Sequence, residues 1–191
     1  ENFLRRKVEL GELDPDHTLE LGQRVYHYFR RDRIETIRSQ FELTPVDDTT
    51  IKRLFFDYCR AMEMDREMSA SYKPVLLLAI LDTVDDRGKA PVDQVVARFR
   101  KFYEDRLRAG LPAEKQNVRM AKVVELDDAA VRRVMLGMPF EKFERRRYLK
   151  YERDVANLRI APNLWKQLHK NDLTDLRGIC AESIAKYYER V

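Results

Sequence analysis

The residues with the plainest chemical signature in this chain are bases. Arg145-Arg146-Arg147, with Lys142 before them and Lys150 and Arg153 after, form the densest cationic run, and Arg132 and Arg133 stand a short distance upstream. Guanidinium forks suit phosphate oxygens and guanine edges. A basic run at the end of a helix that feeds a hairpin neutralises phosphates and positions a module on nucleic acid. Glu141, Glu144 and Glu152 interleave with these bases, so a solvated face of mutually paired charges is the competing reading.

Bond-making chemistry has no comparable signature. His17, His27 and His169 are widely separated, and no HExxH, HxH or HxK occurs. The glycine spacings of a Walker A loop and of GxGxxG are absent, as is a GxSxG elbow. Cys59 and Cys180 are the only cysteines, with no CxxC, so a structural zinc is excluded on ligand count. Two isolated thiols on apolar helix faces read as reduced core residues and imply a cytoplasmic compartment; a Cys59–Cys180 disulfide is the alternative. The 33 carboxylates leave one enzymatic option, a metal-dependent nuclease assembled in space, although no Asp…Glu-x-Lys cluster is visible. No catalytic residue, metal ligand or cofactor is therefore expected.

The frame that must position the bases follows from composition and periodicity. In 191 residues the chain is 44% hydrophobic and 37% charged, too apolar for disorder and more charged than most globular domains. Its net charge of +4 permits nucleic acid as a partner without demanding it. The bases are 25 Arg against 12 Lys, which fits phosphate recognition and fits GC-rich codon usage as well. The longest apolar run, Val75 to Leu81, falls far short of the ~18–20 residues of a membrane span, so no membrane partner is expected. The chain opens on Glu1 rather than Met, without an apolar leader, and reads as a piece of a larger protein.

The spacing predicts a charged helical N-terminal segment over 1–65 and a second domain over 66–191, with the boundary near 66. In the first, Leu21, Val25, Tyr28 and Phe29, then Ile34, Ile37 and Phe41, recur at helical intervals. Thr44-Pro45 supplies a cap for the next helix, with Ile51, Leu54, Phe55, Tyr58 and Cys59 on one side. In the second, Val75, Leu76, Leu77, Leu78, Ile80 and Leu81 make a helix apolar all round, the mark of a central element. Ala90-Pro91 suits a brief strand, and Val92, Val95, Val96, Phe99, Phe102, Tyr103 and Leu107 stripe a helix over about 92–109. Arg106 falls inside that stripe, so it either snorkels or pairs with an inward carboxylate, and the ion pair is the expected arrangement. A helix capped by Asp127 or Asp128 turns Val131, Val134, Met135 and Met138 inward and ends at Pro139; Phe140 and Phe143 anchor another. Alternation from Tyr148 to Ile160 across a polar tip predicts a β-hairpin, followed by a short helix from Pro162 and a C-terminal helix. The fold expected is mainly α, a helical domain with one small β-hairpin. The order helix, strand, helix, helix, hairpin is that of a winged-helix domain.

Four stretches resemble the C-terminal accessory region of bacterial DEAD/DEAH-type superfamily 2 helicases linked to restriction and phage defence. They are Ser71-Tyr72-Lys73-Pro74-Val75-Leu76-Leu77-Leu78, Phe102 to Arg106 with Gly110 to Glu114, Ile160 to Trp165, and Ile184 to Tyr188. A similar leucine-rich run occurs in modules that precede HNH nucleases. The resemblance implies an accessory domain cut from a larger DNA-processing enzyme, without its motor. Expected partners are nucleic acid, DNA above all, and a helicase motor or partner subunit. The expected function is non-catalytic nucleic-acid binding, with docking onto that assembly, or a metal-dependent nuclease, as the alternatives.

Overall fold

The computed structural model describes residues 48–64 and 70–190. The helical stripe expected between Leu21 and Phe41 and the Thr44-Pro45 cap lie outside the described residues. Asp48–Val191 forms one compact unit. Among the described residues it is mainly helical, with seven α-helices and one small three-stranded antiparallel sheet.

Helix α1, Asp48–Met64, is amphipathic, and its inner stripe of Phe55, Cys59 and Met62 is buried. It packs mainly along the C-terminal helix α7, Lys170–Tyr188, and an ion pair of 2.7 Å joins Lys52 to Asp172 across that contact. Phe55 also meets Tyr148 edge to face at 5.0 Å. The compact unit that contains α1 begins at Asp48.

Helix α2, Tyr72–Leu81, is the central element that its all-round apolar sequence predicts. Leu76, Leu77 and Ile80 have no exposed surface, whereas Leu78, counted with them from sequence, is only partly buried. A tight turn follows. The Asp85 carboxylate accepts from the amides of Arg87 and Lys89, and Gly88 adopts φ +76°. Glycine is required there twice over: the conformation is left-handed, and a Cβ would lie 2.7 Å from Cγ of Trp165.

Strand β1, Lys89–Pro91, leads directly into α3, Val92–Arg108, which buries Val92, Val95, Val96, Phe99 and Tyr103 and leaves Leu107 exposed. A 3-10 turn over Arg119–Glu125 follows α3. Helix α4, Asp128–Leu136, starts where Asp127 accepts from the Ala130 amide at 2.7 Å. Gly137 separates it from α5, Met138–Arg145. Pro139 therefore opens α5 rather than ending α4, since a first-turn proline loses no helical hydrogen bond. Met138, expected inward, is 58% exposed.

The predicted hairpin forms from β2, Leu149–Glu152, and β3, Asn157–Ile160. β1 adds to the other edge of β3, giving the order β1-β3-β2. Ala90, Leu149, Leu158 and Ile160 line the buried face. Helix α6, Pro162–Trp165, follows and carries the indole over Gly88, with its N–H donating to the Asp86 carbonyl at 3.0 Å. No described helix is long and apolar enough to cross a membrane.

Candidate nucleic-acid interface

The eight bases singled out in the sequence separate into two groups. Arg132, on α4, is ion-paired with Asp93 at the start of α3, and Arg133 turns its Nε to its own helix, on the Ala129 carbonyl. Lys142 is half-buried on α5. Arg145 pairs with Glu141 one turn earlier at 3.0 Å, and Arg146 lays its guanidinium 4.6 Å from the ring centre of Tyr58 on α1. These five have intramolecular work. Arg147, Lys150 and Arg153 are exposed and have no carboxylate partner among the described residues. They lie just before β2, on β2 and just after it.

Arg147 is held in an unusual backbone state. Helix α5 ends with the Tyr148 amide on the Phe143 carbonyl and the Arg147 amide on the Glu144 carbonyl, the hydrogen-bond pair of a Schellman stop. The left-handed residue of that stop is normally glycine, and here it is Arg147 at φ +58°. A side chain there costs about 1 kcal/mol. Arg147→Gly should therefore raise stability by about 0.5–1 kcal/mol in urea unfolding, because the folded backbone is already the one glycine favours. An unchanged or lowered stability would show that the side chain makes up the loss within the fold.

Pairing in the sheet adds two bases that the local run does not contain. The register sets Lys150 opposite Arg159 and Arg159 opposite Lys89, so three cations form a row across the outer face. Glu152 stands beside the row, with one oxygen 3.2 Å from the Lys89 ammonium and the other accepting from Arg159 at 3.1 Å. The Lys89 ammonium, then Arg159, holds its carboxyl below the usual range. Lys150 belongs to the basic run legible in the sequence, and the β2–β3 register brings Arg159 beside it. Lys89 joins them only through non-local pairing.

A second constellation is internal. Glu114 is 3% exposed, yet its carboxylate is saturated with donors. One oxygen accepts from the Ser71 amide at 2.6 Å and the Ser71 hydroxyl at 2.5 Å; the other accepts from the Tyr187 hydroxyl at 2.5 Å and the Lys115 amide at 3.1 Å. Since Ser71 spends its one proton on Glu114, the Tyr103 hydroxyl 3.1 Å away donates into it. Tyr188 donates to the Ala113 carbonyl. Burial pushes the phenols of Tyr103 and Tyr187 well up, so both remain donors at neutral pH. Arg106 belongs to this cluster. Its guanidinium lies 3.3 Å from the ring centre of Tyr188, and its Nε donates to the Pro112 carbonyl, so ring and carbonyl replace the expected carboxylate. Nothing in the local periodicity marks Glu114, which the sequence offers only as the end of the resembling stretch Gly110 to Glu114.

Cys59 and Cys180 are free thiols, both buried, and burial pushes both up, Cys180 to about 12. Among the described residues no group of three or more His, Cys, Asp or Glu is placed to hold a metal ion. In comparison with known proteins, the chain matches no family model, no curated protein and no solved structure.

Proposed function

We propose that Asp48–Val191 is a nucleic-acid-binding accessory domain of a larger DNA-processing protein, with the hairpin serving as the wing of a winged-helix-like module. One observation carries this reading: Arg147, Lys150 and Arg153 follow a single strand, are exposed, and have no carboxylate partner among the described residues. Exposed bases that pair locally add little to binding. Bases left open along one edge are available to release counterions from a phosphate backbone. The left-handed Arg147 supports the same reading, since a costly side chain at a glycine position is best accounted for by work outside the fold. The helicase-type resemblance supports an accessory role beside a motor or partner subunit. Segments from three of its four stretches meet at Ser71, Glu114 and Tyr187.

The test is fluorescence anisotropy of the 191-residue chain with a labelled DNA oligonucleotide at rising salt. Binding should be measurable at low salt and weaken steeply as salt is added. Neutralising Arg147, Lys150 and Arg153 together, with glycine at 147 and glutamine at the others, should flatten the slope of log K against log salt by about three units. Paired Arg145 should contribute little when changed alone. Absence of binding at low salt, or binding indifferent to salt, would favour the protein-docking reading.

A further inference from the structure

We propose that the nucleic acid this face takes is double-stranded, gripped by the phosphate backbones of both strands. The inference rests on the nucleic-acid reading above and names its substrate class.

Proteins that hold single strands combine a cationic groove with aromatic rings on which bases stack. Every aromatic residue among those with described burial is buried or half-buried, and none is exposed. Tyr151, the one aromatic of the hairpin strands, lies on the inner face and meets Phe140 edge to face at 6.4 Å. Trp165 is committed to Gly88 and the Asp86 carbonyl. The outer face of the sheet offers Lys89, Pro91, Lys150, Glu152, Asn157 and Arg159, with no ring to stack on.

The cations also extend in two directions. Arg147, Lys150 and Arg153 lie just before, on and just after β2, while Lys150, Arg159 and Lys89 run across three strands. With strands about 4.8 Å apart, the crosswise row is roughly 10 Å wide. A single strand presents one line of phosphates to such a patch. A duplex presents two, on either side of a groove ~6 or ~12 Å wide, and both directions of the patch are then used. Glu152 occupies two bases of the crosswise row, so a second phosphate line must compete with its carboxylate for Lys89 and Arg159.

The experiment compares the full chain with a duplex of about 20 base pairs and an oligothymidylate of about 40 nucleotides, matched in phosphate number. The duplex should bind at least roughly tenfold tighter, with little change when its sequence is altered. Glu152→Gln, checked for folding by circular dichroism, should steepen the duplex salt slope by one to two units, about one per base released, and leave the single-strand slope unchanged. Equal or tighter binding of oligothymidylate by the wild-type chain overturns the proposal, and so does a Glu152→Gln effect of the same size on both ligands. Failure of both ligands to bind at low salt overturns instead the nucleic-acid reading on which it rests.

Discussion

Replacing Glu114 by leucine should cost at least about 3 kcal/mol of folding stability, a large share of the ~5–15 kcal/mol that holds a domain of this size. The substitution leaves three buried donors facing an apolar side chain: the Ser71 amide, the Ser71 hydroxyl and the Tyr187 hydroxyl. Each unpaired donor costs about 1–3 kcal/mol. Glu114→Gln tests the chemistry rather than the volume. Every partner of this carboxylate is a donor, so an amide nitrogen in place of either oxygen must point a hydrogen at another hydrogen. It should destabilise by less than leucine but clearly more than a surface change. Denaturant unfolding followed by circular dichroism measures both, and losses below about 0.5 kcal/mol would mean that the cluster is solvated in solution. A pH dependence accompanies it. The folded phenol of Tyr187 is raised above its usual value, so its contribution is complete below about pH 10 and is lost as pH rises through the folded value. Tyr187→Phe should remove that part of the alkaline decline.

Leu77→Ala should cost about 2–5 kcal/mol, since it removes apolar surface from the centre of the molecule and leaves a cavity among residues that cannot all collapse into it. Leu77 has no exposed surface, and its helix packs against α3, α5 and α7. Leu78→Ala, one residue along, should cost clearly less because that side chain is only partly buried. The pair is informative as a difference: equal losses would mean that α2 does not hold the orientation described. From sequence the two leucines are indistinguishable, because a helix that is apolar all round has no period with which to rank its faces.

Elements with a strong local signal were legible without coordinates. The α3 stripe from Val92 to Tyr103, the Asp127 cap, and the alternation that makes β2 and β3 a hairpin all follow from spacings of a few residues. The cationic run from Lys142 to Arg153 was legible for the same reason. Which of those bases remain open was not. Arg146 is taken by Tyr58 from a helix some ninety positions away, and Arg132 by Asp93. Arg159 joins Lys150 through the β2–β3 register, and Lys89 joins them only through the β1–β3 register. Glu114 entered the sequence reading only as the end of a resembling stretch, and its role was not legible, because it lies in Ser71 and Tyr187, 43 and 73 positions away along the chain. The chain's local patterns determined its helices, its hairpin and the sign of its charge. Tertiary packing decided which charges are spent on the fold and which face solvent, because pairing depends on distance in space and periodicity records only distance along the chain.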